Sequence, residues 1–154
     1  MSETRTLSAS EWELWRTWME AQRALAAEVD SSLQAEVGVS KAEFSILLTL
    51  QSAPEATLRV GDLATALRWE KSRVSHLLSR MERRGFVSRA ESGAPGRRTA
   101  ISLSPEGSEI AVAAIRVHDT NVRRLFFDRA TIDQVQAIRA WSEQTLSAAR
   151  NGRA

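Results

Sequence analysis

RWEKSRVSHLLSRMERRGFVSRAESGAPGRR, Arg68 to Arg98, is the stretch whose reading decides the fold. Val74, Leu77, Leu78 and Met81 recur at i, i+3, i+4 and i+7, so its first part predicts a short helix with one apolar stripe. The opposite face carries Lys71, Ser72, Arg73, Ser75, His76, Ser79, Arg80 and Arg83. Gly85 follows the last turn, where a chain leaving a helix wants a residue free to take positive φ. Phe86 to Glu91 and Thr99 to Leu103 then predict two short strands around a Gly-Ala-Pro-Gly tip. A polar, basic helix followed by a basic hairpin is the pattern of a recognition helix and its wing.

Charge is concentrated in the same place. Nine basic residues (Arg68, Lys71, Arg73, Arg80, Arg83, Arg84, Arg89, Arg97, Arg98) face three acids (Glu70, Glu82, Glu91), a net of about +6. The whole chain is only +2, so the remainder sums to about −4. A polyanion responds to such local concentration, because each neutralised phosphate releases condensed counterions. The bland alternative is a solvated helix face.

Outward from this stretch, the other elements follow from capping boxes and stripes. Ser8 and Ser10 each precede a glutamate by three residues (Glu11, Glu13), and either pair starts a long first helix that Gly38 ends. Ser40 and Glu43 start a second, with Phe44, Leu47 and Leu48 on one face. Val60, Leu63, Ala64 and Leu67 stripe a short third helix, which with the basic helix makes a helix-turn-helix. Ser104-Pro105-Glu106 opens a fifth helix, expected to reach Phe127, and Thr131 to Gln134 opens a sixth. The architecture expected is mainly α with a small β-hairpin wing. A winged helix-turn-helix lobe (40–103) is flanked by long dimerisation helices (8–37 and 104–149) within one domain of 154 residues. The outer helices are striped from end to end and have no obvious partner of matching length in the chain, which predicts a two-fold homodimer.

Composition narrows the function classes. With no cysteine there is no disulfide, thiolate metal site or cysteine nucleophile. No run approaches the ~18 apolar residues of a membrane span, and MSETRTLSAS has no signal-peptide character, so a cytoplasmic protein is expected. No Gly-rich phosphate loop, Ser-His-Asp set or paired carboxylates argue for an enzyme, so no catalytic residue is assigned. His76 and His118 are the only histidines and have no ligand cluster around them, so neither a metal nor a cofactor is expected. His118 reads as a hydrogen-bonded structural residue.

LRVGDLATALRWEKSRVSHLLSRMERRGFVSR, Leu58 to Arg89, resembles the MarR family of bacterial winged-helix transcriptional regulators. The similarity lies in the Leu-Ala pair of the scaffold helix, the Val-Ser pair of the recognition helix and the Arg-Gly-Phe-Val entering the wing. Trp-Glu-Lys-Ser-Arg at 69–73 is similar to an actinobacterial branch, and ISLSPEG, Ile101 to Gly107, to the segment after the wing. One departure is Pro95, which stands where the family usually has a wing aspartate two residues before the arginine, here Arg97. The resemblance implies a triangular dimer on a near-palindromic double-stranded operator, usually repressing, with DNA affinity lowered by a small-molecule effector.

On this reading Lys71, Ser72, Arg73 and His76 face base edges in the major groove. Arg73 is the candidate for a bidentate guanine contact, with a phosphate contact as its blander role. Ser75 and Arg80 are assigned to phosphates, and Arg97 and Arg98 to phosphates or the adjacent minor groove. Trp69 either braces the recognition helix or stacks at the sugar-phosphate edge, and Glu70 is a candidate cap. Trp15 and Trp18 are core or interface aromatics, or walls of an effector pocket. An architectural DNA-binding protein and a protein–protein adaptor, neither with an effector, are the alternatives.

Overall fold

The computed structural model describes residues 6–91 and 99–151. These form two compact units, the first ending at His118 and the second beginning at Asp119.

The first unit opens with α1 (Ala9–Val37), started by the Ser8–Glu11 capping box rather than by Ser10 and Glu13. Gly38 ends it in the left-handed region at φ 64°. Its C-terminal part enters the core through Leu33, while Trp12, Leu14 (71%) and Trp15 (49%) stay exposed. The Ser40–Glu43 box starts α2 (Lys41–Gln51), which buries Phe44, Ile46, Leu47 and Leu50. Strand β1 (Thr57–Arg59) follows, then α3 (Val60–Leu67), α4 (Lys71–Arg83), β2 (Val87–Glu91), β3 (Thr99–Leu103) and α5 (Pro105–Val122).

Leu63 of α3 and Val74, Leu78 and Met81 of α4 meet α2 and Ile101 of β3 in one fully buried cluster. The apolar stripe read along α4 is therefore its core face. The hairpin is also confirmed, but it belongs to a three-stranded antiparallel sheet in the order β1-β3-β2. β1 is the addition: Thr57 pairs with Ser102, Leu58 with Ile101 and Arg59 with Ala100. Three residues carry too little alternation to announce a strand, and their partners lie far along the chain.

The start of α5 is fastened to the start of the wing. The Ser104 hydroxyl donates to the Gly85 carbonyl at 2.5 Å and accepts the Gly107 amide at 2.9 Å. The Ser104 amide donates to the Phe86 carbonyl at 3.1 Å. Gly85 itself has φ 77°, the conformation expected of it.

The helix expected to run to Phe127 leaves regular α geometry at Val122. Arg123–Phe127 form a π turn, in which the Asp128 amide donates to the Arg123 carbonyl at 2.8 Å. The wider turn accommodates one extra residue per i→i+5 bond, and no proline or glycine marks it in the sequence. In the second unit, the Thr131–Gln134 capping box begins α6 (Ile132–Asn151) as expected. Phe127, Ile132 (77%), Trp141 and Leu146 of this unit are exposed.

Candidate nucleic-acid interface

Helix α4 divides cleanly into two faces. Val74, Leu77, Leu78 and Met81 are buried, whereas Lys71, Ser72, Arg73, His76, Ser79, Arg80 and Arg83 are exposed and Ser75 is half-buried. Of the proposed contact residues in the described chain, the structure therefore brings Lys71, Ser72, Arg73, His76 and Arg80 to one accessible surface. Arg97 and Arg98, with Pro95, lie outside the described residues.

The approach to α4 is tightly built. Arg68 takes the left-handed conformation at φ 55°, with its amide bonded to the Thr65 carbonyl at 3.2 Å. The Trp69 amide donates to the Ala64 carbonyl at 3.0 Å, and its ring packs on the core cluster while staying half-buried. That is the bracing geometry. Glu70 occupies the N-cap position, but its side chain makes no capping bond, so the role suggested for it as a cap is corrected. A glutamate side chain is longer than the Ser, Thr, Asp and Asn that cap best. The guanidinium of Arg73 lies over the Trp69 ring, 4.2 Å from its centroid.

Two arginines in the charge count prove to serve the lobe itself. Arg89 on β2 donates to the Ser75 carbonyl (3.2 Å) and the Ser79 hydroxyl (2.9 Å), and its Nε lies 3.2 Å from Glu82. It ties the wing strand to one flank of α4, along Ser75, Ser79 and Glu82. Arg84 donates to Glu43 Oε1 at 2.8 Å and to the Gly38 carbonyl at 2.7 Å, and lies 4.5 Å over the Phe86 ring. It joins the end of α1, the start of α2 and the exit from α4. Burial pushes the Glu43 carboxyl up, but the Ser40 backbone amide, the Arg84 guanidinium and the Ser40 hydroxyl outweigh it and hold the group below the usual carboxylate range. Segment charge alone could not separate these two arginines from the exposed ones, because their partners are set by tertiary contacts. The cations left on the described surface of this region are Arg68, Lys71, Arg73, Arg80 and Arg83. Arg80 and Arg83 in the last turn of α4 also suit the negative end of its dipole.

Elsewhere, His118 stacks on Phe44 with ring centroids 4.9 Å apart, which makes it part of the packing around α2. Among the described residues no cluster of His, Asp or Glu could hold a metal, and no helix is long and apolar enough to cross a membrane. Trp15 is exposed and Trp18 half-buried on α1. Two open grooves lie within the second unit, one lined by Phe127, Ile132, Val135 and Arg139, the other by Leu125, Phe126, Gln134 and Ile138. Neither is lined by Trp15 or Trp18.

A sequence model of the MarR family matches residues 37–98, which span the lobe from the end of α1 into the wing. AbsC, a MarR family transcriptional regulator from Streptomyces coelicolor, is 29% identical with a TM-score of 0.85, over 96% of this chain and 99% of that one. Sco3205, a MarR family regulator from the same organism solved in complex with DNA, is 29% identical with a TM-score of 0.86, over 96% and 92%. The Staphylococcus aureus MepR–DNA complex shares the fold at 20% identity and a TM-score of 0.74, over 93% and 99%. No curated protein sequence matched. The lobe thus matches the MarR family in sequence, and nearly the whole length of the chain shares the winged helix-turn-helix fold of MarR family transcriptional regulators.

Proposed function

We propose that the protein binds a near-palindromic double-stranded operator as a homodimer, represses transcription there, and releases the DNA when a small molecule binds. The observation that carries the DNA reading is α4: one face locked into the core, the other offering Lys71, Ser72, Arg73, His76 and Arg80 to solvent. The DNA complex of Sco3205 supports the same reading. Residues 40–103 form the DNA-binding lobe, and residues 8–37 and 104–149 the dimerisation helices. In the dimer, the exposed Trp12, Leu14 and Trp15 of α1, and the exposed Ile132, Trp141 and Leu146 of α6, find apolar cover. Trp15 and Trp18 are the candidates for effector contact, Ser75 for a phosphate contact, and Arg97 and Arg98 for phosphates or the minor groove beside the wing. The protein works in the cytoplasm, beside the DNA it reads.

Fluorescence anisotropy on the protein's own upstream intergenic DNA, against scrambled DNA across a salt series, tests this. Nanomolar, selective binding that weakens steeply with salt is expected. Equal affinity for both DNAs would favour the architectural reading, and no binding at low salt would leave the adaptor. Within this assay Arg73→Ala should lose about tenfold in discrimination at one base pair of each half-site. An equal loss on every sequence would make Arg73 a phosphate contact. Sedimentation at micromolar concentration should show a dimer, and a monomer would overturn the pairing of the outer helices.

A further inference from the structure

Arg73 is distinguished from the other exposed cations of α4 by what its guanidinium rests on. It lies 4.2 Å from the centroid of the Trp69 ring, four residues earlier. Trp69 is itself fixed: its amide is bonded to Ala64 at the end of α3, and its side chain packs on the core cluster. A long, flexible cation is thereby referred to a rigid body. A guanidinium meets an aromatic ring with its π face and hydrogen-bonds along its edges, so stacking leaves the N–H fork available.

We infer that Trp69 is a positioning residue for sequence discrimination, its indole holding the Arg73 guanidinium ready for a guanine edge. The inference rests on the DNA-binding reading above and adds to it the device that orders the reading side chain. An unrestrained arginine loses rotamer freedom on docking, and a side chain already ordered in the free protein loses less. Selective binding gains most, because only the correct base pair rewards a fixed fork. Bracing of α4 alone asks merely for apolar bulk at position 69, whereas holding Arg73 asks for a ring.

The test is a double-mutant cycle on the full-length protein with Trp69→Leu, Arg73→Ala and the double variant, plus Trp69→Phe. Binding is measured on a duplex selected by the wild-type protein from a random pool and on scrambled DNA, and thermal melts confirm folding. Trp69→Met replaces the leucine variant if that one does not fold. Trp69→Leu should lower the selective-to-scrambled ratio about fivefold, with scrambled binding and salt slope unchanged. Trp69→Phe should restore most of the ratio, and Trp69→Leu should change nothing further once Arg73 is alanine. An unchanged ratio, an equal loss on both DNAs, or the same loss in the Arg73→Ala background would each overturn the inference, the last two by assigning Trp69 to bracing alone. If the wild-type protein selects no sequence from the pool, the DNA reading itself falls, and that outcome is seen before any variant is made. In nitrogen-edited NMR spectra the Arg73 side-chain N–H should be shifted by the ring current in the wild type and in Trp69→Phe, but not in Trp69→Leu. No shift in the wild type would remove the stack on which the inference depends.

Discussion

Gly107→Ala should destabilise the lobe, although helix propensity alone predicts a gain. Gly107 sits in the first turn of α5, where alanine would contribute about 1 kcal/mol through a smaller loss of backbone entropy. A Cβ there, however, would overlap the Phe86 carbonyl oxygen and stand 2.8 Å from the carbonyl carbon. The obstacle is backbone, and that carbonyl already accepts the Ser104 amide, so it cannot swing aside as a side-chain end would. Overpacking of this kind costs about 3 kcal/mol, leaving a net loss of about 2 kcal/mol in urea unfolding. Gly61→Ala is the matched control. A Cβ at Gly61 meets nothing within 4 Å, and its substitution should stabilise by about 0.5 kcal/mol. If both variants were equally stable, the close seating of α5 on the wing would be wrong.

Arg84→Ala should cost about as much, for an electrostatic reason. It leaves the Glu43 carboxylate, 1% exposed, without the cation 2.8 Å away. Breaking a fully buried pair costs about 3–5 kcal/mol, and because the Arg84 side chain is 37% exposed we expect about 2 kcal/mol. The pH dependence carries the diagnosis. In the wild type the Glu43 pKa is lowered, burial notwithstanding, by the Ser40 amide, the Arg84 guanidinium and the Ser40 hydroxyl. The stability it contributes is therefore fully present above the unfolded carboxylate pKa and is lost as pH falls through the lowered folded value. In Arg84→Ala, burial is no longer outweighed by a guanidinium. The deficit relative to wild type should be constant near neutrality and shrink as pH falls through the carboxylate range, starting where the variant's Glu43, the higher of the two folded pKa values, takes up its proton. A deficit of unchanged size throughout that range would mean that Arg84 acts through its packing on Phe86 and not through its charge.

Much of the fold is legible because its signals are local. The Ser8–Glu11, Ser40–Glu43 and Thr131–Gln134 boxes, the Ser104 cap and the positive φ of Gly38 and Gly85 stand where short-range chemistry puts them. The i, i+3, i+4, i+7 stripe of α4 likewise gives its core face and, by subtraction, its exposed one. What escapes the sequence depends on residues far apart in the chain. β1 exists because Thr57–Arg59 meet β3, and Glu43 looks like an ordinary capping glutamate until Arg84 reaches it from 41 residues away. Arg84 and Arg89 look like further cations for a polyanion, yet the structure gives them carbonyls and carboxylates of the lobe. The stack of Arg73 on Trp69 lies between these cases. Its i, i+4 spacing is visible in the sequence, but only the packing of Trp69 on the core gives the ring a fixed place.

The position of β3 between β1 and β2 has a mechanical consequence. The contact between the Thr57 and Ser102 hydroxyls, 2.8 Å across 45 residues, closes a loop that contains all of α3 and α4. Helices α3 and α4 are thus held inside a clasp, with β1 before them and β2 after them pinned to opposite edges of β3. They cannot tilt by releasing one end while the ladder stays shut. The proposed effector would have two routes to lower DNA affinity, to open the clasp or to carry the whole lobe as one piece. Hydrogen exchange at the amides of Thr57–Arg59 and Ala100–Ser102 tells them apart, since only the first route exposes the ladder to solvent.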